Sequence, residues 1–227
     1  MINITFQTNA VDPSNSATYT FSSQAIGTAA ADRYVVVAVH GSDGSTTAIS
    51  GVTIDFGSGD TAMNVVSDGT NTADQQNGVV NGGLFILNVT SGTTATIKVT
   101  FAASKNRCGI GIWTITGLSA ETANHVQTST ANPLTATLNT TASGVAIAFG
   151  ATKANATFTP TNYTEDFDAK IESTAAAYTG GSTTTSAGTL ALTAAQSSST
   201  TPVGVFASWG SSIAPVVPRR TLMGVGV

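Results

Sequence analysis

The chain has 227 residues and a formal net charge of −4, and 9% of its residues are charged, against roughly 25% in an ordinary soluble domain. Its 40 threonines and 23 serines make up about 28% of the chain, and there are 23 glycines. Because Thr, Ser and Gly are weak helix formers, this composition excludes a mainly helical protein and favours β-sheets hydrated by hydroxyl groups. With 8 basic residues, the chain is not expected to bind nucleic acid through a basic face.

The cysteine content predicts a fold without an intramolecular disulfide, and the apolar pattern predicts a chain without a signal peptide or a membrane span. Cys108 is the single cysteine, so no intramolecular disulfide can form. The chain begins with alternating apolar and polar residues and shows no signal-peptide pattern. No apolar run approaches the roughly 20 residues that span a bilayer. We expect a soluble protein made in a cytoplasm, with no membrane partner.

Strand patterns recur along the whole chain, separated by clusters of Gly, Asn, Asp and Ser. Most of them alternate apolar residues with Thr, Asn or Lys, which predicts strands buried on one face. In chain order these alternating segments are residues 2–6, 52–56, 95–101, 134–138 and 190–192. No convincing amphipathic helix interrupts them, so an all-β fold is predicted.

Four further segments are apolar or Gly at nearly every position. They are residues 34–39, 108–115, 144–149 and 203–209. Continuous apolar strands of this kind are typical of central strands covered on both faces, here by the opposite sheet or by a partner chain.

The order of these patterns repeats weakly. An alternating strand, a turn and an apolar strand occur in residues 18–39 and again in residues 134–150. An alternating strand then leads to a Trp-containing apolar strand in residues 97–113 and in residues 190–209. One interpretation is an internal duplication whose halves contribute matching strands to one sandwich. The other is coincidence among short patterns in a Thr-rich chain.

Two regions are expected on this basis. Residues 1–210 are predicted to form a single antiparallel β-sandwich, jelly-roll-like in topology, and the alternative is a split into two domains near residues 120–132. Residues 211–227 have a different character, and Pro215 and Pro218 favour an extended path there. We predict an extended C-terminal arm that packs on its own domain or on a neighbouring subunit, and the alternative is a disordered tail.

Catalytic groups are scarce. His40 ends an apolar strand and is followed closely by Ser42 and Asp43. Adjacent residues on one turn cannot easily align as nucleophile, base and orienter, so this segment is interpreted as a strand end entering a polar turn. His125 is assigned to a surface loop. No catalytic residue and no cofactor are predicted.

Metal-ligand spacings are also lacking in the sequence, which has no His-x-His, CxxC or EF-hand pattern. The densest acidic cluster is Glu165, Asp166 and Asp168. Together with Asp55 or Asp60 it could hold Ca²⁺, but solvated carboxylates are the preferred interpretation, and no metal site is predicted.

Aromatic residues offer a possible sugar site. Trp113 and Trp209 lie in apolar runs and are expected in the core. Tyr163, Phe167 and Tyr178 lie in more polar surroundings and could stack on a sugar ring.

The distribution of charge bears on the sheet edges, which soluble proteins usually protect with Lys or Pro. Lys98, Lys105 and Arg107 lie around one predicted strand pair, which is therefore assigned to a guarded edge. Residues 173–218 contain no charged side chain. Strands in this segment are expected to be interior in their sheets or shielded by a subunit contact. A surface poor in Lys and Glu is typical of a protein that packs in a repetitive assembly.

The β patterns in residues 84–89, 95–101, 109–113, 132–134 and 143–148 carry a resemblance. In pattern and composition, residues 30–210 resemble small virion structural proteins of tailed bacteriophages and gene-transfer particles. The resemblance implies a jelly-roll-like sandwich that decorates a capsid or builds a spike, fibre or tail part, often as a symmetric oligomer. It implies a virion location after synthesis in the host cytoplasm, and no catalytic set.

On this hypothesis the arm is the anchor to other virion proteins. Arg219 and Arg220 are expected to pair with acidic groups of the partner. The remaining anchor residues are Pro215, Pro218, Leu222, Met223, Val225 and Val227. The alternative function is a carbohydrate-binding module for host glycans, and an enzyme acting on polysaccharide is a more remote third possibility.

Overall fold

The computed structural model describes residues 2–42, 48–71, 79–172, 176–198 and 202–210. Within these ranges the chain consists of antiparallel strands joined by turns, which confirms the predicted all-β fold. The described residues form no helix with the length and apolar character needed to cross a membrane.

The first half of the chain forms two sheets. Sheet A has the strand order β1-β9-β3-β7-β6, and sheet B has the order β2-β8-β4-β5. The orders β1-β9-β3-β7 and β2-β8-β4-β5 are those of a jelly roll, to which β6 adds an edge strand. The strands are β1 (Asn3–Asp12), β2 (Ser16–Ala25), β3 (Arg33–Ser42), β4 (Ile49–Asp55), β5 (Thr61–Ala62), β6 (Asn64–Asn71), β7 (Val80–Asn88), β8 (Thr94–Lys105) and β9 (Arg107–Thr116).

The second half forms two more sheets. Sheet C has the order β10-β17-β12-β15-β14, and sheet D has the order β11-β16-β13. The strands are β10 (His125–Ser129), β11 (Leu134–Thr140), β12 (Gly144–Thr152), β13 (Phe158–Thr161), β14 (Thr164–Glu172), β15 (Ala176–Thr185), β16 (Gly188–Gln196) and β17 (Val203–Trp209).

The two halves have the same topology. The eight strands β1–β4 and β6–β9 can be matched in chain order with the eight strands β10–β17. With this match the strand order of sheet A becomes that of sheet C, and the strand order of sheet B becomes that of sheet D. Among the described strands, only β5 lacks a counterpart. The internal duplication is therefore present in the strand order. Each half builds its own two-sheet sandwich, where the sequence had suggested one shared sandwich, and the chain crosses between them after Thr116 and before His125.

The four sheets stack in the order B, A, C, D. The largest core lies between sheets A and C and contains Trp113 and Trp209, both fully buried. Separate cores lie between A and B and between C and D. Because sheet A is covered on both faces, β3 needs apolar side chains at every position: Val36 faces sheet C, while Val35 and Val37 face sheet B.

The four continuous apolar segments became β3, β9, β12 and β17, and each has a hydrogen-bonded strand on both sides. Their predicted central position is confirmed. The strands β15, β16 and β17, from the uncharged segment, also lie between two neighbours. These strands therefore lack charged guards because they are interior, and no subunit contact is needed to explain them.

The basic residues do not guard an edge, so that prediction is wrong. Strands β8 and β9 both lie inside their sheets. Lys105 is fully buried with its Nζ 5.8 Å from the centre of the Phe101 ring, and Arg107 is 8% exposed. The real edges use other devices. Strands β1, β2, β6 and β14 carry bulges, and β13 contains Pro160.

Sheets A and C face each other with a pseudo-twofold relation. The edge strand β6 of sheet A contacts β10 and β17, and its counterpart β14 in sheet C contacts β1 and β9. The halves therefore meet along two equivalent lines. We call these lines the β6/β10 seam and the β1/β14 seam.

Candidate functional site

The end of β3 holds a buried titratable group with a strongly lowered pKa. His40 is fully buried and faces sheet C, where its ring stacks on that of Tyr178 with centres 5.9 Å apart and planes 21° apart. Among the described residues, neither ring nitrogen has a hydrogen bond of normal geometry, and the Ser42 hydroxyl is likewise unpaired. His40 and Ser42 are therefore not joined as base and nucleophile, and Asp43 lies outside the described residues.

Burial controls the protonation of His40. Removal from water, helped by the positive charges of Arg107 and Lys105 and opposed in part by the Asn81 backbone, lowers the pKa of the imidazole to about 3. The ring is therefore neutral at neutral pH. An enclosed neutral imidazole is a core residue that makes the fold sensitive to acid.

His125 has a structural role. It is the first residue of β10, not a loop residue as expected, and its Nδ1 accepts a hydrogen bond from the Asn139 backbone N–H at 2.9 Å. Gln127 Oε1 accepts a hydrogen bond from the Thr137 backbone N–H at 2.7 Å. Ser129 Oγ accepts one from the Thr135 backbone N–H at 3.3 Å. Alternate side chains of β10 thus cap the free edge of β11.

Each carboxylate of the acidic cluster accepts its own hydrogen bonds from within the fold. Asp166 Oδ2 accepts hydrogen bonds from the indole N–H of Trp113 at 2.6 Å and from a serine hydroxyl at 2.8 Å. Glu165 accepts from the hydroxyl of a neighbouring threonine at 3.1 Å, and Asp168 accepts a backbone N–H at 3.0 Å. Burial raises the pKa of both Glu165 and Asp168.

Asp55 and Asp60 lie elsewhere, on sheet B. Asp55 accepts the N–H groups of a following turn, which lower its pKa, and Asp60 pairs with Lys98. The structure therefore does not bring either residue to the acidic cluster of sheet C. Within the described ranges, no three His, Cys, Asp or Glu side chains are grouped for metal binding.

Two of the three candidate sugar contacts are wrong. Tyr178 is fully buried in the core between sheets A and C, and Phe167 is buried beside it with ring centres 5.2 Å apart. Both lie on strands that face sheet A, so their polar neighbours in sequence point the other way. Tyr163 is half-buried, and burial raises the pKa of its phenol. It is the one of the three that stays partly exposed, although its hydroxyl is buried and its ring packs on the core between sheets C and D.

The predicted arm, residues 211–227, lies outside the described residues, and so do its eight anchor residues. The described chain ends at Gly210. Its N–H donates to the Asn124 side-chain oxygen at 3.0 Å. Gly210 therefore lies beside the segment that precedes β10.

A groove opens at that place, along the β6/β10 seam. It has a volume of about 250 Å³. Val65 on β6 is 60% exposed and Val126 on β10 is 38% exposed, which is unusual for large apolar side chains in this molecule. We call it the seam groove, and its lining residues are Asn64, Val65, Val66, Ile86, Glu121, Thr122, Ala123 and Val126.

Glu121 lies in the wall of the seam groove and is hydrogen-bonded to both halves of the chain. Its carboxylate accepts hydrogen bonds from the side-chain amide of Asn64 and, at 2.7 Å, from the backbone N–H of Asn88, both in the first half. Its carbonyl accepts the indole N–H of Trp209, in the second half, at 3.0 Å. Glu121 therefore joins the segment between the two halves to both of them. Sequence reasoning missed this site because it depends on two strands far apart in the chain.

Comparison with protein families, curated proteins and solved structures finds no match to this chain. The seam groove is thus identified from the geometry of the molecule alone.

Proposed function

We propose that this protein is a non-enzymatic structural component of a virus-like particle, of the tailed-phage type that its sequence resembles. In this role it decorates a capsid or forms part of a spike, fibre or tail. The observation that best supports the proposal is an uncharged outer face on sheet D, at one end of the four-layer stack. A stack with such an end face is suited to packing against neighbours in a fixed geometry.

This face consists of the outward side chains of three strands. Thr135, Thr193 and Thr161 lie side by side across β11, β16 and β13. Threonine is stiff at χ1 and alanine has no rotamers to lose, so ordering this face against a partner costs little side-chain entropy. Charged residues are depleted at the centres of protein interfaces. The side chains of the face are Thr135, Thr137, Asn139, Thr159, Thr161, Thr189, Ala191, Thr193 and Ala195.

Particle composition tests the assignment. If the chain is a virion component, particles purified by density gradient from cells that produce it should contain it at a constant ratio to the major capsid or tail protein, as measured by mass spectrometry. Its absence from such particles would contradict the proposal.

A pair of substitutions tests the face. Thr193→Lys places a charge in the middle of the sheet D face and should reduce incorporation into particles. Thr20→Lys places the same charge on the outer face of sheet B, where Lys98 is already its cross-strand neighbour, and should leave incorporation unchanged. Equal incorporation of both variants would show that sheet D is not the contact surface.

The C-terminal arm is proposed as the anchor to other virion proteins. A chain that ends at Ser212 keeps every described strand, so it should fold. In this proposal it no longer joins particles, and normal incorporation of the truncated chain would remove the anchor role.

The carbohydrate-binding alternative is weaker than the sequence suggested, because Tyr163 is its one remaining aromatic contact. Binding on a glycan array that is lost in Tyr163→Ala would favour it.

We also propose that the protein forms a homo-oligomer through the sheet D face. Size-exclusion chromatography with light scattering measures its oligomeric state.

A further inference from the structure

A second pocket lies between sheets A and B, at the end where β1 and β3 begin and β9 ends. Its floor is a row of side chains set by the register of sheet A, in which Arg33 is paired with Thr116 and Thr116 with Asn3. It has a volume of about 390 Å³. We call it the Arg33 pocket, and its lining includes Asn3, Thr5, Gln7, Thr28, Arg33 and Thr116.

Arg33 brings a buried positive charge to this pocket. The residue is fully buried, and its guanidinium donates to four backbone carbonyls, in the segments that precede β3 and follow β7, at 2.6 to 2.9 Å. The carboxylate of the neighbouring Asp32 accepts the backbone N–H of Gly117 instead, at 2.9 Å. Among the described residues, the hydrogen-bond acceptors of Arg33 are therefore all uncharged. Because buried charges are usually paired, the pocket is suited to an anion.

The other groups of the lining are hydroxyls and amides. Gln7 Nε2 donates to Thr114 Oγ1 at 2.9 Å, so the hydroxyl proton of Thr114 stays available to a ligand. The hydroxyls of Thr5, Thr28 and Thr116 also line the pocket, and within the described part of the chain none of these three is hydrogen-bonded. Hydroxyl groups both donate and accept, so they can bind the hydroxyls of a sugar in either direction.

The size of the Arg33 pocket fits one small polar molecule. Its volume of about 390 Å³ lies within the roughly 300–1,000 Å³ of small-molecule sites. A water molecule takes up roughly 30 Å³, so there is room for about 13 groups of that size, enough for one sugar ring with its substituents. An apolar ligand is disfavoured, because the hydroxyls of the lining would lose water without gaining hydrogen bonds.

We infer that the Arg33 pocket binds a sugar that carries a carboxylate, such as a hexuronic acid. The carboxylate lies toward Arg33, and the ring hydroxyls bond to Thr5, Thr114 and Thr116. A guanidinium has five N–H donors, and the backbone carbonyls accept four of them. Arg33 therefore acts on the ligand mainly through its charge. The pocket is remote from the sheet D face, and this inference does not depend on the proposed function.

Titration of the ¹⁵N-labelled full-length protein, followed by two-dimensional NMR, tests the site with glucuronate, glucose and acetate as probes. Glucuronate should shift the backbone amides of Thr5, Thr28 and Thr116 in a saturable manner. Glucose lacks the charge and acetate lacks the hydroxyls, so each should bind about tenfold more weakly or worse. Equal affinity for glucose or acetate would overturn the assigned ligand class. Absence of a saturable shift with glucuronate would overturn the site itself.

A matched pair of variants tests the role of charge. Thr5→Glu adds a negative charge at an exposed position of the pocket and should weaken glucuronate binding about tenfold. Thr100→Glu adds the same charge at an exposed position of β8, outside the pocket, and should leave binding unchanged. Both variants keep Arg33, whose replacement would release the segments that its guanidinium joins. Equal glucuronate binding by the two variants would contradict the inference.

A tetrasaccharide with glucuronate at its non-reducing end identifies the source of the sugar. If the pocket takes the end of a glycan chain, the tetrasaccharide should shift the same three amides with at least the affinity of free glucuronate. If the pocket takes the free sugar, glucuronate alone should shift them. A tetrasaccharide that shifts other amides instead would place glycan binding elsewhere on the molecule and contradict a glycan role for the Arg33 pocket.

Discussion

The buried histidine at the end of β3 predicts that the protein loses stability in acid. Because the folded-state pKa of His40 is about 3 and the ordinary value is 6.5, the unfolded chain binds a proton that the folded chain does not bind between these two pH values. Linkage then requires the free energy of unfolding to rise with pH in this window. The stability is complete above pH 6.5 and is lost as the pH falls toward 3.

The magnitude follows from the size of the shift. Each pKa unit corresponds to about 1.4 kcal/mol, so the free energy of unfolding should fall by about 3 kcal/mol between pH 7 and pH 4 because of His40 alone. The full shift amounts to about 5 kcal/mol, which is comparable with the total stability of about 5–15 kcal/mol of an ordinary domain. The raised pKa values of Glu165 and Asp168 act in the opposite direction, so the effect must be isolated by substitution.

Urea denaturation, followed by the fluorescence of Trp113 and Trp209, measures this effect from pH 7 to pH 4. His40→Leu keeps a side chain of similar volume and removes the titrating group. At pH 7 the variant should be at least as stable as the wild type, because two buried ring nitrogens without a hydrogen bond of normal geometry are replaced by an apolar side chain. It should lose about 3 kcal/mol less than the wild type on going to pH 4.

The matched control is His125→Gln, which changes a histidine at a half-buried strand position. Because His40 is intact in this variant, the loss of stability that His40 causes between pH 7 and pH 4 should remain. If His40→Leu loses as much stability in acid as the wild type does, the burial of His40 is not what makes the fold sensitive to acid.

Two further pairs of variants test the core between sheets A and C by urea denaturation. Asp166→Ala leaves the indole N–H of Trp113 without its acceptor and should lower the free energy of unfolding by about 1–3 kcal/mol, whereas Asp60→Ala breaks an exposed ion pair and should cost less than about 1 kcal/mol. Gly180→Ala places a methyl group 2.6 Å from the Trp113 ring and should cost about 1–3 kcal/mol. Gly51→Ala meets nothing within 4 Å and should change stability by less than about 0.5 kcal/mol. Equal effects within either pair would contradict the packing described.

Much of the fold could be predicted from side-chain periodicity. Alternation in residues 95–101 identified β8 as buried on one face, and the continuous apolar residues 34–39 identified β3 as covered on both. The duplication was visible in the order of these patterns. The number of layers could not be predicted from the sequence, because an apolar strand has the same pattern whether a second sandwich or a partner chain covers its far face.

The burial of individual polar and aromatic residues was harder to predict. Tyr178 stands among Ala, Thr and Gly, which suggested a polar surface, yet these small residues are what allow β15 to lie under the rings of Trp113 and Phe167. Lys105 and Arg107 were assigned to an edge because soluble proteins usually protect sheet edges with Lys or Pro. The seam groove arises where β6 meets β10, and no local pattern reports a contact between strands so far apart in the chain.

The pseudo-twofold relation between sheets A and C has a consequence for the history of the chain. An isologous contact is the type that two copies of one subunit make in a symmetric dimer. Here the same contact joins two consecutive jelly rolls of one polypeptide, so the molecule has the architecture of a dimer whose subunits were fused head to tail. At this contact the two jelly rolls differ visibly, because Phe6 fills the β1/β14 seam while the β6/β10 seam leaves the seam groove open.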